Sequence, residues 1–260
     1  MTIPRFTRAV VRPPASTFAQ GITRAALGPP DLALALAQHE AYCRALESCG
    51  LSLTRLPADP DHPDSTFVED TAVLTPRLAV LARPGAPERA GEVAAIRGAV
   101  DALGLRVAAI EAPGTLDGGD VCEAGGAFFV GISERTNEEG ARQLAALLAG
   151  EGFHSTGVDV RGEPDLLHLK SGLAWLGGRT LAVTGPLAGR PEIAGWDLVE
   201  VDPAEGYAAN CVLVNGRVLL ATGFPRFAAA LRARGAELVE LETSEFRKMD
   251  GGLSCLSLRI

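Results

Sequence analysis

The 260-residue sequence predicts an α/β ring of five strand–strand–helix–strand units, closed by pairing of its C-terminal strand with its N-terminal one. Three observations carry this. The same order of strand, turn, strand, helix and strand recurs along the chain. Its period of roughly 40–50 residues is that of propeller-like folds. Finally, the stretch "LSCLSLRI" reads as the first strand of a unit whose other parts stand at the opposite end of the chain. Closure removes exposed sheet edges, and it makes residues 1–260 a single domain.

The split unit has strand "RFTRAVVRP", helix "PDLALALAQHEAYCRALES" and strand "LSLTRL". From Thr71, "TAVLTPRLAVLARP" is two short strands about a turn, followed by the helical "PERAGEVAAIRGAVDALG", capped by Gly104, and by strand "LRVAAI". From Gly119, "GDVCEAGGAFFVGI" repeats the hairpin before helix "TNEEGARQLAALLAG", capped by Thr136 or Asn137, and strand "HSTGVDV". From Ser171, "SGLAWLGGRTLAVTG" does so again, but the helix before "WDLVEV" is short or degenerate. From Asn210, "NCVLVNGRVLLATG" leads to helix "PRFAAALRARG" and strand "AELVEL". Gly, Pro and Asn-Gly supply the turn cues. Polar residues recur where each first strand begins: Asp70, Asp120, Ser171, Asn210 and, slightly inside, Cys255. In a ring these positions point to the central axis, so a cleft there is lined by acids and a thiol.

Composition narrows the classes. Hydrophobic residues at 47% and charged residues at 22% fit a globular chain with a real core. Net charge is −8 and the Lys and Arg residues are scattered, so no basic stripe argues for nucleic acid. No run of 18 apolar residues and no signal core in "MTIPRFTRAVVRPP" argue for a membrane or for secretion. Five cysteines (43, 49, 122, 211 and 255) form an odd set without C-x-x-C spacing, as free thiols in a cytoplasmic, reducing compartment would. His39 and Cys43 stand four apart on a helix, but without further ligands nearby the pair reads as coincidence, not a metal site. H-E-x-x-H, Walker, G-x-S-x-G and G-x-G-x-x-G patterns are all missing.

Four stretches concentrate polar residues: "PDSTFVED" (63–70), "LDGGD" (116–120), "LHLKS" (167–171) and "DGGLSC" (250–255). With "ERTNEEGA" (134–141) they resemble the dimethylarginine dimethylaminohydrolases of the guanidino-modifying, or pentein, superfamily, over nearly the whole chain. The resemblance implies a five-bladed α/β propeller with a Cys–His–acid site at its axis. Carried over by position, Cys255 is the nucleophile, His168 the general acid/base and Asp117 its carboxylate partner. Asp64, Glu69 and Asp70 fall on substrate-binding acids, Arg89 and Arg135 on the arginines that hold the substrate carboxylate. Ile22 falls on a lid contact and Met249 on a backbone carbonyl contact. The implied reaction converts Nω-methylarginines to citrulline and a methylamine, with a small cationic guanidino substrate, no metal or organic cofactor, and a monomer or homodimer. Arginine deiminases and amidinotransferases share the chemistry on longer chains, while non-catalytic penteins lack the Cys–His–acid set.

These residue types suit that chemistry. A guanidinium is planar, cationic and resonance-stabilised, so carboxylates bound in its plane orient it through charge-assisted hydrogen bonds. A soft thiolate attacks its central carbon, and an imidazole protonates the departing amine and then activates water. Each residue also has a plainer reading. A lone Cys on a strand is usually a small buried hydrophobe, and Gly-Gly beside Asp is common turn chemistry. Their coincidence with the other motifs outweighs both. Arg89 begins a helix, where the dipole disfavours a cation, which hints at another use. Acids near Cys255 disfavour a thiolate, so its pKa is expected at or above that of a free thiol.

Overall fold

Asp31 starts the first helix by accepting the Leu34 N–H at 2.9 Å, satisfying one of the orphan donors of a helix N-terminus. The computed structural model describes residues 5–260. Strand β1 (Arg8–Val11) precedes helix α1 (Leu32–Ser48), whose Ala35, His39, Tyr42, Cys43 and Leu46 fall on one buried face. Gly50, at φ 91°, ends that helix and turns the chain into β2 (Ser52–Arg55), parallel to β1.

Four units follow. The first has β3 (Ala72–Leu74), β4 (Leu78–Leu81), α2 (Ala90–Asp101) and β5 (Arg106–Ala109). The next has β6 (Val121–Ala124), β7 (Ala127–Ile132), α3 (Glu138–Gly150) and β8 (His154–Asp159), with Asn137 as the cap of α3. Then come β9 (Leu173–Gly177), β10 (Thr180–Val183), the single-turn α4 (Gly185–Ala188) and β11 (Asp197–Glu200). The last complete unit is β12 (Val212–Val214), β13 (Arg217–Ala221), α5 (Pro225–Ala233) and β14 (Glu237–Leu241). A short α6 (Ser244–Arg247) leads to β15 (Leu258–Arg259). In each complete unit the hairpin is antiparallel and the third strand returns parallel, giving separate three-stranded sheets. The fifth sheet is β15–β1–β2, in which Ala9 pairs with Arg259 and Val10 with Leu258. The ring is therefore the pentein propeller, closed as expected.

One expectation is corrected. "LSCLSLRI" is not strand throughout: Ser254–Leu256 forms a 3₁₀ turn and only Leu258–Arg259 pairs with β1. Asp250 in the left-handed region (φ 56°) and two glycines turn the chain, and the Cys255 N–H closes onto the Gly252 carbonyl at 3.2 Å. Helix α2 likewise ends at Asp101, three residues before Gly104, whose φ of 75° serves the turn into β5.

Each helix packs between its own sheet and the preceding one, so the apolar core is shared across blades. Ile96 and Val100 of α2 meet Val10 and Leu258 of the closing sheet, and Leu144 and Leu148 of α3 meet Val73 and Val80. Burying each such side chain is worth about 1.5–3 kcal/mol.

Toward the axis, a 3₁₀ turn precedes every first strand: Val68–Thr71, Gly118–Asp120, Leu169–Ser171, Pro203–Ala209 and Ser254–Leu256. Polar side chains latch each turn to the next. Asp70 Oδ1 accepts the Gly119 N–H at 2.8 Å, and Asp120 Oδ1 accepts that of Leu169 at 2.9 Å. Asn210 donates to the Lys170 carbonyl at 3.1 Å and accepts the Ser254 N–H at 2.9 Å. The Ser254 hydroxyl completes the circuit by donating to Glu69 Oε2 at 2.7 Å. Asp120 thus spends its polar atoms between blades, while Asn210 serves the latch and also borders a cavity of about 410 Å³ together with Ser171 and Tyr207.

Candidate active site

The turns bring eight of the ten residues singled out in the sequence around one cavity: Ile22, Asp64, Asp70, Arg89, Arg135, His168, Met249 and Cys255. Asp117 lies directly behind His168, fully buried, while Glu69 is outside the lining. The space is about 20 Å³, room for roughly one water. A loop covers it: the Ile22 N–H donates to Asp64 Oδ2 at 3.0 Å and the Thr23 hydroxyl to the Lys248 carbonyl at 2.9 Å.

His168 turns Nε2 to Asp117 Oδ2 at 3.1 Å, and Asp117 Oδ1 accepts the Gly85 N–H at 3.0 Å. Nδ1 faces the Gly119 backbone, so close that a Cβ at Gly119 would stand 2.7 Å from both His168 Nδ1 and Asp70 Oδ1. The "LDGGD" glycine is there because nothing larger fits. Burial works against charge on this imidazole, but Asp70, Asp117 and Asp120 outweigh it and lift its pKa to about 9. At neutral pH the ring is an imidazolium.

Cys255 behaves oppositely. Burial, then the charges of Glu69 and Asp70, push its thiol up to about 12, against weaker pulls from a Gly252 backbone hydrogen bond and Lys170. The resting pair is a neutral thiol beside an imidazolium.

The acids divide into two groups. Asp70 Oδ2 receives Arg89 Nη1 at 2.6 Å, and the His168 and Arg89 charges hold its carboxyl well below the usual range although burial opposes them. Arg89 also grips Glu92 through Nε and Nη2 at 3.0 and 2.7 Å and gives Nη2 to the Phe67 carbonyl at 3.2 Å. Its guanidinium is thus spent within the protein. Arg135 differs: Nη1 stands 3.8 Å from Asp117 and is buried with no hydrogen-bond partner among the described residues. Asp64 is pushed up by burial. Glu69 points away from the cavity, to Lys170 at 2.6 Å and Arg259 at 3.1 Å.

No protein-family model matches the chain. The dimethylarginine dimethylaminohydrolase of Pseudomonas aeruginosa is 44% identical over 255 residues, spanning 98% of this chain and 99% of that protein. This chain belongs to the dimethylarginine dimethylaminohydrolase family. Its namesake in Streptomyces coelicolor is 37% identical, covering 97% of this chain and 96% of that one. Among solved structures, the P. aeruginosa family member, as a cysteine-to-serine mutant complexed with citrulline, superposes with a TM-score of 0.95 at 43% identity, over 98% of this chain and all of that one.

Beyond the residues matched to family positions, the structure adds Glu92, Lys170 and Arg259. Glu92 was readable as the i+3 partner of Arg89, and Lys170 stands inside "LHLKS", but nothing in the sequence marks Arg259. Asp70, Asp117 and His168 offer ligand atoms within 4.8 Å of one another. Arg89 on Asp70 and the Gly85 N–H on Asp117 already occupy those carboxylates, so the set suits a proton-bearing imidazole better than a cation. Among the described residues, no helix is long and apolar enough to cross a membrane.

Proposed function

We propose that the chain hydrolyses Nω-methylated L-arginines to L-citrulline, releasing methylamine or dimethylamine, through a covalent adduct on Cys255. The observation that supports this most is the gathering of Cys255 and His168, the latter backed by Asp117 at 3.1 Å, around a cavity bearing Asp64 and Asp70. A general acid is ready for the leaving amine, and the nucleophile waits for a cation to ionise it.

The guanidinium plane lies against the carboxylates, and its charge lets Cys255 give up its thiol proton to solvent. Sγ adds to the guanidinium carbon, and His168 donates its proton to the methylated nitrogen, which departs as the neutral amine. The neutral imidazole then takes a proton from water as the oxygen attacks the thiouronium carbon. Collapse expels the sulfur, which takes up the hydroxyl proton of the adduct and so restores the neutral thiol, and leaves the urea of citrulline. Asp117 fixes the ring throughout. Arg135, with its unpartnered Nη1, takes the substrate carboxylate, while Arg89, whose guanidinium is held by Asp70 and Glu92, acts on that carboxylate only through its charge. Glu69 acts on the site electrostatically, through Cys255. The Met249 carbonyl receives the substrate amine. Because the cavity holds only about 20 Å³, the Ile22 loop parts to admit an arginine. All these roles fall on one chain, acting as a monomer or homodimer, and its five buried free cysteines suit the cytoplasm.

The test is citrulline release from monomethyl-, dimethyl- and unmethylated L-arginine side by side. The methylated substrates should be preferred by about 10-fold or more in kcat/KM, within what one or two methyl groups in an apolar pocket can give. Faster turnover of unmethylated arginine would make the chain a deiminase.

A further inference from the structure

Asp120 is fully buried, on the Gly118–Asp120 turn three residues beyond Asp117. One oxygen, Oδ1, accepts the N–H of Leu169, the residue after His168, at 2.9 Å. The other, Oδ2, accepts the Ser133 hydroxyl proton at 2.6 Å. Ser133 Oγ in turn accepts the backbone N–H groups of Arg135 at 2.9 Å and Thr136 at 3.1 Å. Thr136 passes the connection on, its Oγ1 accepting the Asp117 N–H at 3.1 Å. Backbone beside His168, Arg135 and Asp117 therefore meets at one carboxylate.

We propose that Asp120 and Ser133 are positioning residues that set leaving-amine protonation through His168 and carboxylate recognition through Arg135. The inference rests on the roles given to those two residues above. A hydroxyl has one proton and two lone pairs. Both lone pairs of Ser133 are engaged by N–H groups, so its proton requires an acceptor, and its only acceptor among the described residues is Asp120. The Asp120 charge also adds to those that keep His168 protonated. One side chain thereby joins proton donor and substrate anchor, two functions that lie 33 residues apart in sequence (His168 − Arg135).

Two variants test this. Ser133→Ala removes the acceptor of the Arg135 and Thr136 N–H groups. Asp120→Asn keeps the shape, but whichever way the amide lies, its NH₂ opposes either the Leu169 N–H or the Ser133 hydroxyl. For Ser133→Ala, KM for Nω-methyl-L-arginine should rise about fivefold or more, the cost of one lost hydrogen bond. The inhibition constant of carboxylate-free N-methyl-N′-butylguanidine should stay at the wild-type value. For Asp120→Asn, the His168 imidazole, followed by NMR without substrate, should titrate below the wild-type midpoint, and the alkaline limb of kcat should move down with it. Equal weakening of both ligands in Ser133→Ala, or an unmoved His168 midpoint in folded Asp120→Asn, overturns the proposal. If Asp120→Asn does not fold, the Ser133→Ala ligand comparison decides. If wild-type protein releases no citrulline from any methylarginine, the functional reading falls, while the substrate-free His168 titration still decides the role of Asp120.

Discussion

Exposing Cys255 to a neutral alkylating reagent across pH, with and without an inert guanidinium, tests whether substrate makes its own nucleophile. With its pKa near 12, the free thiol is only about one part in ten thousand thiolate at pH 8, against roughly a quarter for an ordinary thiol near 8.5. Alkylation should therefore run on the order of a thousandfold slower than that of free cysteine. A guanidinium carbon about 4 Å from the sulfur, at an effective dielectric of about 20, contributes about 4 kcal/mol, which brings the midpoint down by about three pH units. An alkylguanidine that leaves Sγ accessible should thus raise the rate at pH 8 on the order of a thousandfold, and a neutral urea isostere should not. Peptide mass spectrometry assigns the label, since Cys43, Cys122 and Cys211 are also held high by burial. A thiolate already dominant at pH 6 without ligand would refute this reasoning and indicate a standing thiolate–imidazolium pair.

Cys255→Ser should fold normally yet lose citrulline release by several orders of magnitude, because a hydroxyl is a far weaker nucleophile; a tenth of wild-type turnover would remove Cys255 from the mechanism. His168→Gly should accumulate the covalent adduct, visible in the intact mass, and an adduct mapped to another cysteine would overturn the assignment. Since the imidazolium persists to about pH 9 without substrate, wild-type kcat/KM should fall as pH rises through that value, and a limb near the ordinary 6.5 would contradict the influence of its acidic neighbours. Arg135→Ala should raise KM while sparing stability. Arg89→Ala, by contrast, strips Asp70 and Glu92 of a shared buried counter-ion and should cost about 3–5 kcal/mol in denaturant unfolding. Equal stability of the two arginine variants would show that the Arg89 pairs carry little.

The architecture was largely legible because its signals are local. Asn137 announces α3, Asn215-Gly216 marks a hairpin by its left-handed backbone, and the alternating strands recur at a regular spacing. Ring closure was legible too, since "LSCLSLRI" had no partner elsewhere. Its detail was not: whether Cys255 sits in the strand or in a turn before it depends on Asn210 capturing the Ser254 N–H from 44 residues away. The site divides likewise. His168 and Asp117, drawn from separate motifs, lie 3.1 Å apart. Whether an acid faces the cavity or a buried cation is a tertiary matter, so Glu69 and Arg89, ordinary within their motifs, prove to be committed to Lys170, Arg259, Asp70 and Glu92.

The latches around the axis also bear on how activity is acquired during folding. They join residues 49 apart in two cases, 40 and 44 apart in two others, and 185 apart for Glu69 with Ser254. Contacts of such separation form only after the entropy of large loops has been overcome, whereas a helix or hairpin forms within its own stretch of chain. A refolding chain should therefore regain its circular-dichroism signal before Asn210 and Glu69 come to hold the Cys255 turn. Hydrolysis should return last, and its delay behind secondary structure would time the assembly of the ring.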